Sequence, residues 1–364
     1  MPAVPSRGVG AGNRNAPAAY GGAVGASRWV LGIERAWDRA RLRRAGDSTP
    51  KDFRIDAYGG HGSGAEGVVV RGRVLDDPVP PEAAEGEGVR AAVRRTLRHF
   101  VTDELPGVPL RVAVAGATVE TVTDPEGYFL VRLRPEPGAL TAPSSRGTVE
   151  LAGPYRGLTE PHTTTFEVSV PPADARFGVI SDIDDTILET GVQRVGQMVK
   201  QTITGSALTR TPFAGAPELY RDLAAGVNPV FYVSSSPWNL HSFLIAFLEH
   251  RAFPRGPVLL RDLLGTIEGR EQKSVRLHEI LDLHPDLRFV LIGDSGEHDP
   301  QIYAELVRDY PGRVIAVYIR EVRLDPGDGR VEQVSESWSD AAVPFVLAAD
   351  SDAVRRHAAG IGLL

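Results

Sequence analysis

From residue 173 onward, short uninterrupted apolar runs alternate with segments whose apolar residues recur every three or four positions. The runs at Phe177–Ser181, Pro229–Val233, Phe289–Ile292 and Val314–Ile319 read as buried strands. Ala216–Leu223, Asn239–His250, Ser274–Leu283 and Pro300–Asp309 carry helical spacing, and Pro257–Leu260 adds a short strand. Apolar strands alternating with helices predict an α/β fold, a parallel sheet covered on both faces. In such sheets the ligand sits beyond the carboxyl ends of the strands, so the polar residues just after each strand are the informative ones.

The texture before Pro171-Pro172 differs. Val68–Leu75 reads as a strand. Val112–Val122 and Tyr128–Leu133 read as a hairpin around the turn Asp124-Pro125-Glu126-Gly127, and Val149–Leu151 and Thr163–Val170 as further strands. Val89–Thr102 has helical spacing and reads as an inserted helix. Short strands between turn signals predict a small β-sandwich-like domain. The Gly-rich run Gly59–Gly64 lacks the Lys and the following helix of a phosphate cradle, so a flexible loop is expected there. Residues 1–27 are rich in Gly, Ala, Pro and Asn without apolar periodicity, which predicts a disordered tail. Then Trp29, Val30, Ile33, Ala36, Trp37 and Ala40 form a helical stripe among Arg28, Arg35, Arg39, Arg41, Arg43 and Arg44. Such a basic amphipathic helix can lie on an anionic membrane surface, although packing on the next domain is the commoner fate. The expected organisation is a tail (1–27), a basic helix and linker (28–49), a β-rich domain (50–172) and an α/β domain (173–364).

Composition narrows the function classes. Among 364 residues there is no Cys, which excludes disulfides, zinc–thiolate sites, iron–sulfur clusters and a cysteine nucleophile. With 40 Lys and Arg against 47 Asp and Glu, the net charge of −7 argues against wholesale nucleic-acid binding. The apolar runs fall short of the ~20 residues that span a bilayer, and Met1–Arg28 has no secretory apolar core. The expected location is cytoplasmic, with peripheral membrane contact through residues 28–44 as the alternative.

Four strand or helix ends carry the chemistry. They are Ser181-Asp182-Ile183-Asp184-Asp185-Thr186, Val233-Ser234-Ser235-Ser236-Pro237-Trp238, Gln272-Lys273-Ser274 and Gly293-Asp294-Ser295-Gly296-Glu297-His298-Asp299. Acidic oxygens of Asp182, Asp294 and Asp299 would converge at one sheet edge. Like charges that close need a cation between them, and hard oxygen ligands without His or Cys select Mg²⁺. A hydroxyl and the Lys273 ammonium can complete the hydrogen bonds of a phosphate. Carboxylates at i and i+2 divide the labour: one attacks phosphorus, the other shuttles the proton. Each element alone is commonplace; the ordered set is not.

This ordered set resembles the haloacid dehalogenase-like phosphohydrolase superfamily. The resemblance implies a Rossmann-like sheet with Asp182 as nucleophile and Asp184 as general acid/base. It implies Ser234 and Lys273 as phosphate ligands, with Ser235 and Ser236 competing for the serine role. Asp294 and Asp299 would join Asp182 and the main-chain carbonyl of Asp184 at the metal. The stretches Ala175–Ile187, Tyr232–Leu240 and Gly293–Asp299 are further similar to the phosphatidate phosphatases of the actin-patch-protein type. That similarity implies Mg²⁺-dependent conversion of phosphatidate to diacylglycerol through an aspartyl-phosphate. The gaps Ile187–Asn228 and Leu240–Gln272 leave no room for a large cap, which suits a bulky lipid phosphomonoester. Gly191–Thr204 could form a short apolar flap, and Trp238 could meet substrate or, as favoured here, anchor a helix start. The alternatives are a phosphatase for a soluble phosphometabolite or phosphoprotein, and a membrane- or protein-binding module with secondary catalysis.

Overall fold

The structure is a computed structural model that describes residues 48–77, 103–184, 186–187, 213–261, 269–295, 298–321, 338 and 342–364. The tail 1–27, the basic segment 28–44, the expected helix 89–102 and the flap 191–204 lie outside the described residues. Among the described residues, no helix is long and apolar enough to cross a membrane.

The first half is built of β1 (Phe53–Ser63), β2 (Gly67–Asp76), β3 (Pro109–Val114), β4 (Ala117–Val122), β5 (Tyr128–Leu133), β6 (Ser144–Leu151) and β7 (Thr163–Ser169). They form a single sheet in the order β4-β3-β6-β7-β1-β2-β5, and its edge strands β4 and β5 approach one another. The expected sandwich of two facing sheets is therefore corrected to one curled, nearly closed barrel-like sheet. Its lumen holds Val68, Val70, Val74, Leu110, Val112, Val131 and Val168, as period-two alternation requires.

Two local expectations also change. Val112–Val122 is not one strand: Ala115 and Gly116 both have positive φ and close a two-residue hairpin between β3 and β4. β5 then pairs with β2, not with β4. The Gly59–Gly64 run is not a loop over its first five residues, which lie in β1. Glycine is needed there for close approach: a Cβ on Gly60 would lie 2.5 Å from the Val69 carbonyl oxygen. A bulge between Ala57 and Gly59 leaves Tyr58 as the extra residue of this strand.

The second half is a six-stranded parallel sheet in the order β10-β9-β8-β11-β12-β13. Its strands are β8 (Gly178–Asp182), β9 (Val230–Pro237), β10 (Val258–Arg261), β11 (Phe289–Asp294), β12 (Val314–Arg320) and β13 (Phe345–Ala348). The helices are α1 (Ala216–Ala224), α2 (His241–His250), α3 (Gly269–Leu283), α4 (Asp299–Asp309) and α5 (Ser351–Gly360). Val179, Tyr232, Val290 and Tyr318 face a core shared with α1, α2 and α5. Ile180, Phe231, Leu291 and Val317 face the opposite core, shared with α3 and α4. Both sheet faces are thus buried, which explains why the strands read as continuous apolar runs. The sequence pattern anticipated this half to within a few residues per element, while β13 and α5 were missed.

Candidate active site

Strand order sets the place of the site. β9 lies on one side of β8 and β11 on the other, so the direction of winding reverses between β8 and β11. A crevice opens at the carboxyl ends of the two strands flanking such a reversal. Asp182 ends β8 and Asp294 ends β11. Asp299 is the first residue of α4, where backbone N–H groups favour a carboxylate.

These three aspartates are each fully buried, and one carboxylate oxygen from each lies within 4.8 Å of the others. Lys273 reaches them from the first turns of α3. Its Nζ donates to Asp182 Oδ1 at 2.7 Å and also to Asp299 Oδ1. Lys273 is 3% exposed and sits one turn before Leu277 on the sheet-facing stripe, where an apolar residue would otherwise be expected. The Asp294 N–H donates to Asp299 Oδ2 at 3.3 Å, which ties the end of β11 to the start of α4.

Asp184 stands apart from the other three. Ser234 Oγ and Ser236 Oγ both donate to its Oδ2, at 2.7 and 2.9 Å. The Ser236 N–H donates in turn to Ser234 Oγ at 2.8 Å. Ser234 and Ser236 share one side of β9 by alternation, and both are buried; Ser235 between them is half-buried. Ser236, which the sequence left in competition with Ser234 and Ser235, is thus joined to the site beside Ser234, and a period of two applied to three consecutive serines could have singled out this pair. Behind the strands, Ser181 Oγ donates to the Asp182 carbonyl at 2.6 Å and shares a 2.5 Å hydrogen bond with the Tyr220 hydroxyl. Burial keeps that phenol protonated, well above its ordinary range. Tyr303 on α4 donates to the Ile292 carbonyl at 3.0 Å. These two tyrosines were not anticipated, because each looked like an ordinary core residue of its helix.

The donor set fits a hard divalent cation. Asp182, Asp294 and Asp299 converge around one ammonium, and buried carboxylates at this spacing need a further positive charge or protonation. All the candidate ligand atoms are oxygens, and neither His nor Cys belongs to the cluster.

Comparison with known proteins bears on the same segment. Residues 177–321 match the family described as phosphatidate phosphatase APP1, catalytic domain. That stretch contains every site residue named above. The chain is 28% identical over 239 residues to Phosphatidate phosphatase APP1 of Saccharomyces cerevisiae, covering 62% of this chain and 40% of that protein. It is 29% identical over 218 residues to an uncharacterized protein of Schizosaccharomyces pombe, covering 57% of this chain and 35% of that one. The chain therefore spans less than half the length of these curated relatives. Among solved structures, the class C acid phosphatase from Bacillus anthracis with tungstate bound aligns at a TM-score of 0.29 and 16% identity, over 51% of this chain and 79% of that one. That likeness is too distant to bear on fold or chemistry.

Proposed function

We propose that this chain is a phosphoric monoester hydrolase of the haloacid dehalogenase-like type, acting on phosphatidate to give diacylglycerol. The observation that carries this reading is the buried convergence of Asp182, Asp294, Asp299 and Lys273, inside the segment similar to a phosphatidate phosphatase catalytic domain. The Arg-rich stretch 28–44 supports approach to an anionic lipid surface.

Asp182 is the nucleophile. Its carboxylate oxygen bonds to phosphorus as the bond from phosphorus to the ester oxygen breaks, leaving an aspartyl-phosphate. Asp184 delivers a proton to the departing alkoxide. It then takes a proton from the water whose oxygen attacks phosphorus, and breakage of the acyl-phosphate bond regenerates Asp182 and releases phosphate. Ser234 and Ser236 hold the Asp184 carboxyl in one orientation between these two transfers. Lys273 keeps Asp182 aimed and places a positive charge beside the transferring group. Asp182, Asp294 and Asp299, with the Asp184 main-chain carbonyl, would hold Mg²⁺, which when bound offsets negative charge on the carboxylates and the phosphoryl oxygens.

The test is phosphate release by the purified full chain, with Mg²⁺ or with excess chelator, from phosphatidate in mixed micelles and from soluble phosphomonoesters. Release from phosphatidate that needs Mg²⁺ and falls by about a thousandfold or more in Asp182→Asn is the expected result. Activity retained in that variant would exclude the nucleophile. Equal or better turnover of soluble esters would overturn the lipid assignment.

A further inference from the structure

We infer that strand β1 of the barrel-like half is a working part of the active site, with Tyr58 as a positioning residue for the serines that hold Asp184. This inference rests on the phosphatase reading above and concerns residues outside the matched segment 177–321.

Two contacts support it, on two different site elements. The first lies beside the serines. Trp238 follows Ser234–Ser236 by two residues and opens a short 3-10 turn (Trp238–Leu240) that leads into α2. Its ring stacks on Tyr58, with centroids 4.7 Å apart and planes 3° from parallel. His241 closes the group at 4.7 Å from Tyr58 and 5.7 Å from Trp238. The second lies on the helix that carries Lys273. Glu279 of α3 accepts from Arg71 of β2 at 2.6 Å, and its other oxygen lies 3.4 Å from His61 Nε2 of β1. His61 Nδ1 stands 3.4 Å from His284 Nε2, just past the end of the same helix.

The bulge makes both contacts possible from one strand. Residues three apart in a regular strand point to opposite faces. Tyr58 and His61 nonetheless both meet the α/β half, because the extra residue at the bulge shifts the alternation by one. β1 therefore braces the serine strand with one side chain and the lysine helix with another. A site built from two elements needs their spacing fixed to a fraction of an ångström, and a small misplacement can cost about a hundredfold in rate.

The test compares Tyr58→Ala, Tyr58→Leu and Tyr58→Phe with the parent chain, and adds Phe53→Ala as a control. Phe53 packs against His162 within the barrel-like half, with ring planes tilted by 54°, so its loss weakens the same strand without touching Trp238. The readouts are kcat and KM for phosphatidate in mixed micelles and for p-nitrophenyl phosphate, inhibition by inorganic phosphate, and Tm. Tyr58→Ala and Tyr58→Leu should lower kcat/KM by about ten- to a hundredfold and weaken phosphate inhibition, while Tyr58→Phe restores both. Phe53→Ala should lower Tm and leave kcat/KM per folded molecule within about twofold. If Tyr58→Ala does not fold, Tyr58→Leu, which keeps apolar bulk without a flat ring, carries the comparison. Parent-like kinetics in Tyr58→Leu, or an equal kinetic loss in Phe53→Ala, would overturn the inference. A parent chain that releases phosphate from neither phosphatidate nor p-nitrophenyl phosphate would instead sink the phosphatase reading itself.

Discussion

Gly293 shows how tightly the acidic cluster is packed. A Cβ there would lie 2.3 Å from Asp299 Oδ2 and 2.8 Å from the Asp299 Cβ. Asp299 has nowhere to retreat, since it is fully buried and its carboxylate is held by Lys273 and by the Asp294 N–H. Gly293→Ala should therefore cost about 1–3 kcal/mol in unfolding free energy, measured by urea titration, and weaken the response to Mg²⁺. An unchanged midpoint would mean that Asp299 moves more easily than its burial suggests. The individual acids were legible in the sequence because each follows an apolar strand or opens a helix. Lys273 was legible for the same reason. The serine geometry was only half legible: three consecutive serines announce a site, but which two face Asp184 depends on strand alternation. Ser181 and Tyr220 left no signal, since a small polar residue in a strand and a tyrosine in a helix are ordinary core members.

At the level of elements, the contact between β1, α2 and α3 is made largely by imidazoles that burial keeps neutral. Burial holds His241 far below the ordinary imidazole range, at about 4. Burial also lowers His61, more than Glu279 raises it, and lowers His284, helped by the charges of His61 and Arg313. Burial alone would raise the Glu279 carboxyl, yet hydrogen bonds from His61 and Arg71 and the Arg71 charge hold it well below its usual range. The signs agree. Between about pH 6.5 and 4 the unfolded chain binds protons that folded His241 does not, so stability falls as pH falls through that window. Glu279 adds its own loss below about pH 4.5, where the unfolded carboxyl protonates first. His241 alone can account for at most about 3 kcal/mol. His241→Phe keeps a ring in the stack, so its unfolding free energy should drop less between pH 7 and pH 4.5, as urea titrations at both values would show. An identical drop would rule out His241 as a source of the acid sensitivity. None of this contact could be read from the chain, because Tyr58, His61 and Arg71 stand more than a hundred residues before their partners. The bulge that aligns them falls just before a Gly-rich run that resembles a loop.

Considered as a whole molecule, the chain gathers three buried aspartates at one point of a parallel sheet. A ligand that binds only the folded state stabilises it in proportion to the logarithm of its concentration over its affinity. Saturating Mg²⁺ at about a hundred times its Kd should raise stability by about 2.7 kcal/mol, seen as a higher Tm than in chelator. In Asp294→Asn that increment should shrink or vanish; an undiminished shift would place the cation elsewhere. The α/β half was read from pattern because both faces of its sheet are buried and its strands are short and continuous. The barrel-like half was misjudged because strand pairing, not strand content, separates one curled sheet from two stacked ones. The central place of β8 has one more consequence, in the order of synthesis. Both of its sheet neighbours, and the other acids, the serines and the lysine of the site, are made after it. Asp182 thus leaves the ribosome before either neighbouring strand of its sheet, and its acidic cluster is complete only once β11 and α4 have been translated and docked. Under the proposed function, onset of phosphate release would mark the docking of β11 and α4 on β8, not the first collapse of the chain.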